Sequence, residues 1–198
     1  DHFALRRLAD SSTPIPGTSI TFSDFSLIPP SIHRESIVFQ SISGGTATYL
    51  YKDGQITRIF NDSSTVYMRD AGVALVGYVN GQIAIRMGQG FDSLQTVIRA
   101  NETTVPGSTS VIKSLMHVGF DGSNLAFSVV SDSYYDNGNI VNYTNADGVY
   151  TLVDGVLTRI IDRTTPVPGF DATFSYFEYA QIYGTNVLFS GAGGLGNY

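Results

Sequence analysis

The sequence predicts an all-β chain built of antiparallel repeats, and three observations carry that expectation. Two-residue Gly-containing turns stand between β-rich runs at Asp53-Gly54, Asn80-Gly81 and Asp154-Gly155. Such pairs are the strongest short hairpin signal, because a type I′ turn needs φ > 0 at both central residues. The stretch 5–17 (LRRLADSSTPIPG) returns as 157–169 (LTRIIDRTTPVPG). No segment shows a 3.6-residue apolar period with helix formers and caps.

The duplication is exact in register. Leu5, Arg7, Asp10, Thr13, Pro14, Pro16 and Gly17 recur as Leu157, Arg159, Asp162, Thr165, Pro166, Pro168 and Gly169. Beyond the turn, Thr21-Phe22-Ser23 with Phe25 returns as Thr173-Phe174-Ser175 with Phe177. Prolines fix φ and the closing Gly reverses the chain, so each TPxPG stretch reads as a turn that stops a strand. Next along the chain, Ile37-Val38-Phe39 reads as a short apolar strand, and the same pattern recurs at Val73-Ala74-Leu75, Leu125-Ala126-Phe127 and Val187-Leu188-Phe189. Tyr49-Leu50-Tyr51, Asp53-Gly54 and Ile56-Thr57-Arg58-Ile59 form a second hairpin, echoed by Tyr150-Thr151-Leu152, Asp154-Gly155 and Leu157-Thr158-Arg159-Ile160. Asn80-Gly81 joins Val76-Gly77-Tyr78-Val79 to Gln82-Ile83-Ala84-Ile85 in the same way. In the middle, 94–98 (LQTVI) leads into Thr103-Thr104-Val105-Pro106-Gly107, a third version of the turn.

Units therefore start near 5, 56, 94 and 157, a mean spacing of roughly 51 residues, within the range of propeller blades. Residues 1–198 read as a single repeat domain of antiparallel β, propeller-like, with about four blades or as a fragment of a longer propeller. Within a unit the expected order is the apolar strand, the Tyr-containing strand, the Thr-Arg-Ile strand and the turn. The chain begins on the third of these strands and stops just after the first, so its ends are complementary pieces of one unit.

These residues resemble exported bacterial tandem-repeat proteins, frequent in cyanobacteria, whose unit reads approximately L-x-x-I-A-D-x-x-T-P-[IV]-P-G, then T-F-x-x-F, V-A-F-x-G and a Tyr-containing hairpin. The first and last copies, 5–25 and 157–177, match most closely, and the pattern fades between 62 and 90. The resemblance implies a β-propeller-like fold and export. It carries over no catalytic residue.

Composition narrows the function classes. Apolar residues make up 42% of the 198, with 12 Phe and 12 Tyr, which excludes a disordered chain. Seventeen acidic against eleven basic side chains give a net charge of −6, so no nucleic acid is expected as partner, because phosphate binding needs a basic face. No run approaches the ~18 apolar residues of a membrane helix, and no membrane insertion is expected. The chain has no Cys, which removes thiol chemistry and Cys-ligated zinc. Only two Lys and many Ser, Thr, Asn, Gly and Tyr fit an extracellular or cell-surface protein.

Candidate chemistry is sparse. The most polar stretch, Asp132 to Asn139 and on to Asp147, departs furthest from the repeat, and loops of this kind carry function on rigid scaffolds. Asp132, Tyr134, Tyr135, Asp136, Asn139 and Tyr143 are the candidate ligand-binding residues, the tyrosines by stacking on a sugar or a protein. Asp132, Asp136 and Asp147 are the candidate calcium ligands, although the spacing is not that of an EF-hand, which would place oxygen ligands where Tyr134 and Tyr143 stand. Calcium is the one cofactor this stretch suggests. Residues 191–196 satisfy G-x-G-x-x-G, but no helix follows to hold a pyrophosphate. His2, His33 and His117 lack zinc spacing. Arg7, Arg58 and Arg159 read as scaffold residues, the first and last beside Asp10 and Asp162. Phe22, Phe25, Phe174 and Phe177 read as packing between units. The expected function is a binding or assembly module without enzymatic activity, its partner a glycan, a surface protein or copies of itself. The alternatives are a subunit of a sheath or filament, and a polysaccharide hydrolase or lyase on a propeller scaffold.

Overall fold

The computed structural model describes residues 7–129, 134–136, 139–141 and 146–194. The chain divides into two compact units, Asp1–Asp70 and Ala71–Tyr198. In the first unit, β1 (Ser31–His33), β2 (Ser36–Ser41), β3 (Ala47–Lys52) and β4 (Gln55–Phe60) form an antiparallel sheet in chain order, followed by β5 (Thr65–Arg69). The second unit holds β6 (Gly72–Val79), β7 (Gln82–Gly88), β8 (Gln95–Arg99), β9 (Met116–Phe120) and β10 (Leu125–Val129). A hairpin of β11 (Tyr134–Asp136) and β12 (Asn139–Val141) precedes β13 (Gly148–Val153) and β14 (Val156–Asp162), and β15 (Thr173–Tyr183) pairs with β16 (Asn186–Gly194).

All-β is thus the observed class. The described residues form three four-stranded antiparallel sheets, ordered β1-β2-β3-β4, β5-β6-β7-β8 and β9-β10-β13-β14, and two hairpins, β11-β12 and β15-β16. The sequence reading gave three strands and a turn per unit; each sheet has in addition a first strand, β1, β5 or β9, ahead of the apolar one. In each sheet the second strand carries the apolar triplet, at Ile37-Val38-Phe39, Val73-Ala74-Leu75 and Leu125-Ala126-Phe127. The β11-β12 hairpin is inserted between the second and third strands of the third sheet. β16 carries Val187-Leu188-Phe189 and so takes the place of a second strand.

Local chemistry explains each reversal. Asp53, Asn80 and Asp154 have φ of 50°, 52° and 50°, and the glycines after them 79°, 79° and 77°, the paired positive values of a type I′ turn. The TPxPG turns close identically in all three copies. Ile15 N–H donates to Ile20 O at 2.9 Å, Val105 to Ser110 at 2.9 Å and Val167 to Ala172 at 2.8 Å. Ahead of each turn a Thr hydroxyl accepts a backbone N–H, from Asp10 to Thr13 at 2.9 Å, from Arg99 to Thr103 at 2.8 Å and from Asp162 to Thr165 at 3.0 Å. Of the three scaffold arginines two pair with aspartates as expected, Arg7 3.0 Å from Asp10 and Arg159 3.3 Å from Asp162. Arg58 instead donates to the Tyr49 hydroxyl at 3.3 Å.

Two apolar clusters anchor the units. In the first unit Ile15, Phe22, Ala47 and Tyr49 are buried together, with Phe39 and Ile56 against them. In the second, Ala126, Val149, Phe177, Ala180 and Ile182 form one buried cluster, with Phe174 and Phe189 alongside. There β9 and β15 touch backbone to backbone. A Cβ at Gly119 would lie 2.6 Å from the Gln181 Cα and 2.7 Å from the Ala180 carbonyl, so only Gly fits. Each of these strands carries a β-bulge at this level, and the bulge residues His117 and Tyr179 have positive φ and rings 4.7 Å apart.

Candidate functional site

The concave surface of the first unit is built by the segment entering and leaving its repeated turn. Residues 26–31 (SLIPPS) follow Phe25 in a stretch with no counterpart after Phe177, where β15 simply continues. Two prolines lack the N–H a sheet interior needs, so this stretch runs outside the ladder until β1 begins. It leaves Leu27 fully exposed and Phe25 39% exposed.

Beneath it lies a concavity of ≈ 310 Å³ walled by Leu8, Phe25, Ile28, Pro30, Ile37 and Phe39, with Arg7, Ser26 and Gln40 as its polar contributors. A second concavity of ≈ 480 Å³ shares Leu8 and Ile37 and is walled on its other side by Glu35, Tyr51 and Asp53. A guanidinium thus borders one and two carboxylates the other, across a shared aliphatic wall. Arg7 is mostly exposed and paired with Asp10, whose carboxyl is held down to about 2, first by the Ser12 side chain and then by the Ser12 and Thr13 groups around it. Gln40 is buried, and its Nε2 donates to Ser63 O at 3.2 Å and Ser64 O at 2.8 Å. Its Oε1 is enclosed without a hydrogen-bond partner among the described residues. Nearby, His33 Nε2 and Arg34 lie 3.1 and 2.7 Å from the Asp70 carboxylate, which fixes the β1–β2 turn.

The residues singled out from sequence belong to the second unit. Asp132 and Tyr143 fall outside the described residues. Tyr134, Tyr135 and Asp136 form β11 and Asn139 begins β12, with Tyr134 paired to Val141 and Asp136 to Asn139. The polar insertion therefore contains a hairpin of its own. Asp147 is fully buried, and its carboxylate accepts a hydrogen bond from Arg163 Nε at 2.8 Å. Among the described residues no three His, Asp or Glu side chains gather as a metal would require. Of the G-x-G-x-x-G run, Gly191, Gly193 and their neighbours up to Gly194 lie in β16 as extended strand. That is the geometry of a ladder and not of a phosphate loop.

Phe22 and Phe177 are fully buried, and Phe25 packs on Phe22 and Phe39 at 5.6 and 6.1 Å between centroids while also presenting part of its ring to the concavity. The available signal was the Leu-Ile-Pro-Pro stretch directly after it, apolar yet unable to form a central strand. No protein family, curated protein or solved structure matches the chain.

Proposed function

We propose that this chain is a binding and assembly module of the cell surface, acting without chemistry, on a propeller-like repeat scaffold. The repetition of four-stranded antiparallel sheets with one strand order supports the scaffold, and the low Lys content and export-like composition support the location. The observation that carries the binding reading is the apolar concavity around Phe25, Ile28 and Phe39. Concave, mostly apolar surfaces with a few polar groups are where ligands and partner side chains dock. Its walls offer few hydrogen-bonding groups, so a surface protein inserting an apolar side chain fits it better than a glycan, whose hydroxyls would go unpaired.

The test is parallel binding of the 198-residue chain to a displayed peptide library and a glycan array, repeated with Ile28→Asp. Ile28 is partly exposed, so the charge enters the concavity without opening the core. Peptide ligands with an apolar anchor that lose at least about tenfold in affinity to Ile28→Asp support the reading. Ligands indifferent to the substitution, or turnover of a polysaccharide, would overturn it.

A further inference from the structure

The aromatic cluster beside the repeated turn is complete in one copy and truncated in another. In the first copy Phe22 packs on Phe25 at 5.6 Å, on Phe39 at 5.8 Å and edge-on to Tyr49 at 5.0 Å between centroids. Phe39 on β2 and Tyr49 on β3 stand opposite in register and stack at 5.6 Å, and Arg58 of β4 lies 5.7 Å from the Tyr49 ring centre. The third sheet repeats the pair. Phe127 on β10 stands opposite Tyr150 on β13, stacked at 5.6 Å, with Arg159 of β14 opposite Tyr150. In the last copy Phe174 meets Phe177 at 5.9 Å and Phe189 of β16 at 5.8 Å, reproducing both Phe contacts of Phe22. The series stops there, because β16 pairs with β15 alone among the described residues. Phe22 is fully buried, whereas Phe174 and Phe189 are half-buried.

Strand composition points the same way. The second strands β2, β6 and β10 carry no charged side chain, and each is enclosed between two neighbours. The outer strands β4, β8 and β14 carry Arg58, Arg99 and Arg159, in keeping with the charges that protect sheet edges. β16 (NVLFSGAGG) is uncharged over nine residues, yet among the described residues one of its edges has no partner strand, and Leu188 is 73% exposed. It has the composition of an interior strand in the position of an edge.

We propose that the open edge of β16, with Phe174 and Phe189, docks a β-hairpin of the kind made by β3–β4 and β13–β14. That hairpin is a tyrosine strand, an Asp-Gly turn and a Thr-Arg-Ile strand, supplied by another repeat of the same type. Its Tyr ring sits opposite Phe189 as Tyr49 sits opposite Phe39, and edge-on to Phe174 as Tyr49 is to Phe22. Backbone hydrogen bonds along the edge supply affinity and the aromatic socket supplies register. The inference is independent of the concavity near Leu8, so either can fail alone.

The probe is a synthetic peptide with the sequence of residues 47–60 (ATYLYKDGQITRIF), added to the full chain and followed by calorimetry. Saturable one-to-one binding is expected, weakened at least about tenfold when the peptide residue equivalent to Tyr49 becomes Ala. Register is read by disulfide trapping, which the absence of any native Cys makes unambiguous. In the chain Ser190→Cys, an exposed site, is expected to trap the peptide bearing Cys at the Thr48 position and not the one bearing Cys at the Lys52 position. No binding, equal trapping by both peptides, or Ser190→Cys chains linking mainly to each other through β16 would overturn the proposal.

Discussion

The turn at residues 10–22 and the turn at 162–174 are the same object in two surroundings. Their backbone hydrogen bonds agree one for one, while Thr18, whose hydroxyl donates to Ile15 O at 3.0 Å, has Phe170 at the equivalent position. Ser12 N–H donates to Asp10 Oδ1 and Thr164 N–H to Asp162 Oδ1, both at 2.9 Å, and Phe22 and Phe174 N–H donate to Thr13 O and Thr165 O at 3.0 and 3.1 Å. Burial separates them. Ile15 and Phe22 are fully enclosed by β2 and β3, whereas Val167 and Phe174 remain half-exposed and Phe170 is 73% exposed. The comparison shows that local sequence sets the turn's conformation, while its contribution to stability depends on whether a third strand covers it.

The largest expected effect tests that contribution. Phe22→Ala should cost about 3–5 kcal/mol, as a large aromatic removed from a closed core does. Phe174→Ala, already partly hydrated, should cost about 1–2 kcal/mol. Denaturant midpoints of the two variants measure the gap, and equal losses would break the comparison.

A middle-sized effect sharpens it at the tyrosines that do the covering. The Tyr150 hydroxyl donates to Ala146 O at 2.6 Å in a buried setting, and burial foremost pushes its phenol up to about 12. Tyr150→Phe removes this buried hydrogen bond and should cost about 1–3 kcal/mol. Tyr49→Phe removes only an acceptor from Arg58, a half-exposed group that can turn to water, and should cost less than about 1 kcal/mol. Thermal melts of both variants decide the order.

The smallest effect concerns what the turns share. Asp10 is lowered to about 2, chiefly by hydrogen bonds from Ser12. Asp162 is also lowered, because bonds from Thr164 and the charge of Arg159 outweigh the burial that opposes them. Both folded-state values lie below the unfolded one, near ~3.9. Their contribution is therefore complete above that value and lost as pH falls through the folded values. The melting temperature of the Asp10→Asn, Asp162→Asn double variant should fall less between pH 5 and about 2 than that of the native chain. Parallel profiles would show that neither carboxylate stabilises its turn.

Much of the fold was legible because its signals are local. Asp53-Gly54, Asn80-Gly81 and Asp154-Gly155 announce type I′ turns through backbone sterics alone, and the Pro and Gly of the TPxPG stretches do the same for theirs. The apolar triplets marked the second strands of the sheets because the same short pattern recurs along the chain. Less visible were features that require distant backbones to meet. The bulges at His117 and Tyr179 oppose each other only once β9 and β15 lie side by side, and neither residue announces it. Phe25 looked like Phe177 at the same repeat position, and it is the following Leu-Ile-Pro-Pro that leaves it exposed. The sequence drew attention to the polar insertion around Asp132 to Tyr143, where composition is unusual. The concavity of the first unit is made of ordinary apolar residues that only three-dimensional placement brings together.

The insertion between β10 and β13 has a kinetic consequence. β2 and β3 are separated by 5 residues and β6 and β7 by 2, but β10 and β13 by 18. Joining strands across the longer connection costs more chain entropy, by roughly 1–2 kcal/mol on a logarithmic dependence of loop closure on length. The third sheet is therefore expected to pair late at β10–β13, between the β9–β10 and β13–β14 hairpins, whereas the first two sheets can zip strand by strand along the chain. A folding pathway with its slowest step at β10–β13 also explains how the chain tolerates extra sequence there.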